Sequence, residues 1–331
     1  MSSVKDLDYP QKLFEYIDGF LVSKTMFTAC ELGIFDLLYK ANEPLSTLDI
    51  STYLATSYDG TDRLLNACVG LKLLNVAIKN NEALFSNTDL SNIYLVKSSP
   101  RSLHHMMMYY SQTIYMCWHF LPDAIREGKS QYERAFGVSS EVLFSALYRS
   151  EEEMVHFMHS MDSIWKICGK DVIAAFDLSA FNEIYDLGGC SGALAKQIVS
   201  VYPSSTVTIL DLPNVVQTAK KHFISDGDAN ISFHEGDFFN DPIPEADLYI
   251  MARIIHDWAE DKCLQLLNKL YKSCRSGGGV LIIEALLNED RSGPLTSQSY
   301  SLNMLVQTEG KERTPSEYRK LLAESGFREF K

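Results

Sequence analysis

Apolar side chains recur along this chain with two different periods, and the change from one to the other divides it. Near the start, Leu13, Phe14, Ile17, Phe20 and Leu21 fall on one helical face, and a second apolar series runs from Met26 to Leu38. Ser46 is placed to cap a short helix, with Asp49 three residues on as its capping-box partner. Thr61 reads as the start of the next helix, Asp62 to Leu74. Val76-Ala77-Ile78, a turn at Asn80-Asn81 and Ala83-Leu84-Phe85 then read as a β-hairpin. Helix, turn, helix and hairpin predict a helical, winged-helix-like module over residues 1–100. Residues 101–180 read as a helical linker rich in methionine and aromatics, among them Met106, Met107, Met108, Phe157, Met161 and Trp165. Most of these are expected in a core, but such side chains also line pockets for flat apolar ligands.

From Phe181 the period shortens. Strands are expected at Ile184–Leu187, Val207–Leu210, Ile231–His234, Leu248–Ala252 and Val280–Ala285, with helical stretches between most of them. That rhythm predicts an α/β fold, a doubly wound, Rossmann-like parallel sheet over residues 181–331.

Composition narrows the partners. A formal charge of −13 over 331 residues argues against nucleic acid or an anionic membrane, both of which are polyanions. The winged-helix-like module has DNA binding as its sharp reading, yet residues 1–100 hold eight Lys/Arg against twelve Asp/Glu. A DNA reader needs a basic face, so a packing or dimerisation role is favoured. No secretory signal is visible at the start, and the apolar run Val280–Leu287 is interrupted by Glu284 and too short to span a bilayer. Seven cysteines without a CxxC suggest neither a disulfide framework nor a zinc site. The cytoplasm is the expected compartment, and no metal is expected.

The chemistry is expected around Ile184-Tyr185-Asp186-Leu187-Gly188-Gly189-Cys190-Ser191-Gly192. A strand ends in an acid, glycines make a tight turn, and a helix follows, as in a nucleotide-binding βαβ unit. The dinucleotide pattern GxGxxG would need glycine at Leu187, and a glycine-rich turn with no ligand is the bland alternative. Acids at successive strand ends point instead to a ligand: Asp186, Asp211, Asp237 and Asp257, with Arg253 and His256 nearby and Glu284 in the fifth strand. Asp211 is placed to accept from ribose hydroxyls, and Asp237 from an adenine amine with Phe238 against the ring. An acid-lined edge suits the positively charged, phosphate-free S-adenosyl-L-methionine better than NAD.

DLGGCSGALA, LPNVV, HEGDFFNDPIPEADLY, ARIIHDW, RSGGGVLIIEALL and YSLNMLVQTEGKERT, together with YRSEEEM, resemble the plant-type small-molecule O-methyltransferase family over nearly the whole chain. The resemblance implies that Tyr148, Trp165, Asp211, Gly236, Asp237, Phe238 and Arg253 hold S-adenosylmethionine, and Gly188 of the tight turn is expected to approach it with them. It implies His256 as general base, oriented by Glu312. Asp257, Asn303 and Gln307 would contact a small aromatic hydroxyl acceptor, and the chain would form a homodimer through its N-terminal region. The neutral amides of Asn303 and Gln307 suit an N-acetyl group better than an ammonium. Two departures are expected to matter: GGCSG carries fewer glycines than relatives often do, and Phe327–Lys331 reads as the start of a strand after which the family places one more. A phenol-like hydroxyl at ~10 and an imidazole at ~6.5 make prior ionisation cost about 5 kcal/mol, so the proton is expected to leave during the transfer. The runners-up are a nicotinamide oxidoreductase, a winged-helix interaction protein and an inactive paralogue.

Overall fold

A computed structural model of the chain describes residues 10–137, 148, 150–225 and 227–331. The first nine residues and Arg149 of the YRSEEEM stretch lie outside the described residues. The chain divides into two compact units, residues 1–112 and 113–331.

In the first unit a single long helix, α1 (Gln11–Glu31), carries the first apolar face and runs into the second. Its N-terminal half does not bury that face: Leu13 is 59% and Ile17 61% exposed. A short helix α2 (Ile34–Ala41) follows, then β1 (Leu45–Ser46) and α3 (Thr47–Tyr53). Ser46 accepts from Asp49 N while the Asp49 carboxylate accepts from Ser46 N, the expected reciprocal cap. The next helix, α4 (Tyr58–Gly70), begins earlier than Thr61 and ends before Leu74. Ser57 is its cap, accepting from Gly60 N, whereas the Thr61 hydroxyl is engaged with Thr56 at 2.6 Å. Leu74 opens β2 (Leu74–Lys79), which pairs antiparallel with β3 (Glu82–Asn87). Asn80 and Asn81 both take left-handed φ, 51° and 64°, as a two-residue hairpin turn requires. The sheet order is β1-β3-β2, and Phe35, Ile50, Leu65 and Phe85 form a fully buried core beneath it.

In the second unit a long helix, α5 (Glu151–Ile173), precedes the sheet. Ser150 caps it, and three glutamates in its first turn face the positive end of its dipole. Five parallel strands follow: β4 (Glu183–Leu187), β5 (Thr206–Asp211), β6 (Ile231–Glu235), β7 (Ala246–Ala252) and β8 (Cys274–Ile283). Their order, β6-β5-β4-β7-β8, reverses direction at β4, which leaves a crevice beyond the carboxyl ends of β4 and its neighbours. Both faces of the sheet are covered. Along β7, Leu248 and Ile250 pack into one core and Tyr249 and Met251 into the other. Helices α6 (Ala193–Val201) and α7 (Pro213–His222) return the chain between the first three strands, and α8 (Glu260–Ser273) leads from β7 towards β8. Helices α9 (Leu295–Gln307) and α10 (Pro315–Glu324) complete the unit.

Two strand expectations are corrected. The fifth strand starts at Cys274, six residues before Val280, and ends at Ile283, so Glu284 lies just beyond it. Residues 327–331 form no strand. Among the described residues nothing pairs with their backbone as a sheet neighbour, and the Phe327 ring instead meets Tyr271 edge-on at 5.3 Å.

Candidate functional site

The strand ends open onto a cavity of ≈ 640 Å³. Its floor is the turn after β4. Gly188 takes a left-handed φ of 66°, which favours glycine, and a Cβ there would stand 2.5 Å from Ile254 Cδ1 and push that side chain aside. Cys190 is also left-handed, with φ 54°, and its N–H donates to Asp211 Oδ2 at 3.0 Å. Leu212 N donates to Asp211 Oδ1 at 2.8 Å, which fixes this carboxylate at the cavity wall with further acceptor capacity on each oxygen. Burial pushes Asp211 up to about 6 against those two bonds, and burial together with the Asp211 charge pushes Asp186 up to about 7. Asp186 Oδ2 is buried with no hydrogen-bond partner. At the turn after β6, Asp237 accepts from Phe239 N at 2.8 Å and Asn240 Nδ2 at 2.7 Å, and Phe238 presents its ring to the cavity. Phe239 backs it, 4.9 Å from Phe238 and 4.7 Å from Trp258, both edge-on. Opposite lie Phe157, Met161 and Trp165, spaced four apart on α5, with Tyr148 6.0 Å from Phe157.

This lining fits S-adenosylmethionine. A glycine turn admits the backbone-close part of a ligand, the Asp211 carboxylate keeps acceptor capacity at the cavity, and aromatic side chains are part of the lining. Among the described residues no basic cluster of the kind a pyrophosphate needs lines the cavity; the cationic residues in the described lining are Lys129, Arg253 and Lys262. Arg253 holds a left-handed φ of 60° with its guanidinium 5.8 Å from the Tyr300 ring, a strained backbone of the sort functional sites retain.

His256 stands behind the wall. It occupies a single 3-10 turn, Ile255–Asp257, and is only 4% exposed. Nδ1 lies 2.8 Å from Glu312 Oε1 and 3.5 Å from Glu284 Oε2, and Nε2 lies 3.7 Å from Asp257 Oδ1. Burial alone would lower His256, but Glu284, Asp257 and the hydrogen-bonded Glu312 together raise it to about 9. Burial pushes Glu284 up to about 7 despite the nearby imidazole, and Asp257 is likewise raised by burial. His256, Glu284 and Glu312 offer one ligand atom each within 4.8 Å, a spacing that would also suit a metal ion. The 2.8 Å Nδ1–Oε1 separation is a hydrogen-bond length, which places a proton rather than a metal ion between those atoms, with Nδ1–H as the donor and Glu312 as the acceptor.

The turn itself is held from three sides. Glu284 Oε1 accepts from Ile254 N at 3.0 Å and His256 N at 3.3 Å. Buried Arg313 donates to Ile255 O at 3.1 Å and Trp258 O at 3.0 Å. Gly310 presses so closely on the backbone of residues 256–258 that a Cβ would overlap it.

Of the residues expected to bind the cofactor, Tyr148, Trp165, Gly188, Asp211, Gly236, Asp237, Phe238 and Arg253 all line the cavity. Of those expected at the acceptor, Asp257 and Gln307 line it and Asn303 does not. Asn303 Oδ1 accepts from the Trp118 indole N–H at 2.9 Å, which commits that oxygen to a structural bond. His256 and Glu312 pair as expected, behind the lining rather than in it. Sequence reasoning gave no role to Arg313 or Gly310 and placed Glu284 only as a strand acid; the signal was a buried-type Gly and Arg flanking Glu312 in EGKERT.

Residues 118–328 match the O-methyltransferase domain family, and residues 14–97 match the O-methyltransferase dimerisation domain. The chain is 62% identical over 329 residues to acetylserotonin O-methyltransferase of Gallus gallus, covering 99% of this chain and 95% of the relative. It is 55% identical to the Bos taurus protein of that name over 317 residues, 96% of this chain and 92% of the relative. The solved structure of human N-acetylserotonin methyltransferase in complex with SAM superposes with a TM-score of 0.95 at 51% identity, covering 100% of this chain and 95% of that one.

Proposed function

From the premise that this chain belongs to the O-methyltransferase family, we propose that it transfers the methyl group of S-adenosylmethionine to the aromatic hydroxyl of N-acetylserotonin, giving melatonin and S-adenosylhomocysteine. The observation that carries the reading is the pairing of His256 with Glu312 at 2.8 Å directly behind a cavity whose floor is built from strand-end acids.

Asp211 holds the ribose hydroxyls, Asp237 and Phe238 the adenine, and Gly188 and Gly236 supply close backbone. Tyr148, Trp165 and Arg253 enclose the rest. When bound, S-adenosylmethionine supplies an electrophilic methyl on a positively charged sulfur. His256 takes the acceptor's proton. Its Nδ1 is committed to Glu312, so Nε2 is the nitrogen left to receive it. With His256 at about 9, the gap to a phenol-like hydroxyl near 10 narrows from ~3.5 units to ~1, or about 1.4 kcal/mol. The carboxylates thus make a strong base, at the cost of leaving it mostly protonated at neutral pH. Asp257, between Nε2 and the cavity, guides the acceptor, and the Gln307 amide meets the acetamide. Glu284 and Arg313 fix the turn that carries the base.

The exposed apolar face of α1 and the dimerisation-domain match support assembly as a homodimer. Among the described residues no helix is long and apolar enough to cross a membrane; a charge of −13 disfavours nucleic acid as a partner, and a cytoplasmic enzyme is the location we propose. The test is labelled methyl transfer across a panel of hydroxyindoles and phenols, with calorimetric binding of S-adenosylhomocysteine and NADH. N-acetylserotonin should exceed serotonin in kcat/KM by about tenfold or more, and NADH should not bind. Better turnover of serotonin would move the acceptor assignment to a free amine.

A further inference from the structure

The turn after β6 is gripped from outside the cavity by a residue that the chemistry above does not use. Lys269, on α8, donates to Phe238 O at 2.8 Å, Phe239 O at 2.9 Å and Asp241 O at 2.7 Å. An ammonium has three N–H donors and no acceptor, so all three are spent on one turn. Among the described residues Lys269 makes no ion pair, although it is half-buried. Removing a cation from water without a counter-ion is costly, and three charge-assisted bonds are what offset it here.

The turn is also braced internally. Asp237 N donates to Asp241 Oδ2 at 2.8 Å, and the Asp237 carboxylate accepts from Phe239 N and Asn240 Nδ2. These local bonds set the shape of the turn but not where it sits. Lys269 ties the turn to α8, which starts at Glu260, three residues after the turn that carries His256. One helix therefore links the turn that carries the base to the turn that carries Asp237 and Phe238.

We propose that Lys269 is a positioning residue for recognition of the adenine ring: by clamping the carbonyls of Phe238, Phe239 and Asp241 it sets the Asp237 carboxylate and the Phe238 ring at reading distance. The proposal rests on the assignment of Asp237 and Phe238 to the adenine end of the site. Calorimetry with S-adenosylhomocysteine and its 6-oxo counterpart, S-inosylhomocysteine, tests both and separates them. The wild-type protein should bind the amine-bearing ligand about tenfold tighter. Lys269→Met should reduce that preference to about threefold or less, chiefly by weakening S-adenosylhomocysteine, while Lys269→Arg, which keeps charge and donors, restores most of it. Should Lys269→Met fail to fold, Lys269→Gln, with two donors, carries the same expectation. A preference that survives loss of the ammonium overturns the proposal. So does equal weakening of both ligands, the pattern of a purely structural role. A wild-type protein with no preference overturns the adenine assignment itself, and the role of Lys269 with it.

Discussion

At the floor of the cavity, Asp211 and Asp237 spend their oxygens on neighbouring main-chain and amide donors and keep spare lone pairs for a ligand. Behind the wall, Glu284 and Glu312 converge on one imidazole, and each leaves an oxygen buried without a hydrogen-bond partner. Both regions bury carboxyl groups; what differs is where the compensation comes from. At the floor it comes from donors within a short loop or across one strand pair. At His256 it comes from residues 28 and 56 positions away in the chain. A recognition site can be assembled from local turns, whereas a tuned base needs remote elements to close on it.

Substitutions should separate the two regions. His256→Ala should cost at least about a hundredfold in kcat and leave S-adenosylmethionine affinity near wild type. Near-full turnover, measured where chemistry limits the rate, would remove His256 as the base. Glu312→Gln should lower kcat by about tenfold and change the pH profile. In the wild type, turnover should climb with pH towards about 9 as the raised imidazolium gives up its proton; without the Glu312 charge the inflection should move down towards the ordinary ~6.5. Stability has the opposite slope. A folded pKa raised above the unfolded one stabilises fully below ~6.5 and loses that contribution as pH rises to about 9. Glu284 and Asp186, both raised to about 7, add the same sign at lower pH. Rate profiles and melting curves over that range check both directions, and parallel slopes would contradict the ion-pair account.

At the floor, Asp211→Ala should weaken S-adenosylmethionine by about 1.5–3 kcal/mol, roughly tenfold to a hundredfold, without moving the pH inflection. Unchanged affinity by calorimetry would remove Asp211 from the site. The smallest effect is expected at Cys190→Gly. Relief of a left-handed φ of 54°, about 1–2 kcal/mol, is partly cancelled by the extra backbone freedom of glycine, about 0.5–1 kcal/mol. A slightly higher melting temperature is the outcome; a lower one would show that thiol packing outweighs the strain.

The same contrast decided what the sequence disclosed. The β4 turn, the acids closing β4 and β5, the Ser46–Asp49 cap and the Asn80–Asn81 hairpin are short-range patterns, and each was readable. The start of β8 was hidden because Gly277, Gly278 and Gly279 break the apolar run, although Gly278 packs on the Asp247 backbone as a strand residue. Thr61 read as the start of a helix, but the helix begins at Tyr58 with Ser57 as its cap. Asn303 was expected at the acceptor from the family resemblance, and nothing local to it reveals Trp118, 185 residues away. The grip of Arg313 on residues 255 and 258 is equally long-range.

Gly310 makes the His256 turn vulnerable in a way its own residues do not disclose. Its missing side chain leaves only enough room for the main chain of residues 256–258. The mildest missense change at that codon, a hydrogen exchanged for a methyl, would have to displace the segment that carries the imidazole. An inherited variant there would mimic a catalytic lesion while leaving every ionisable group of the site in place.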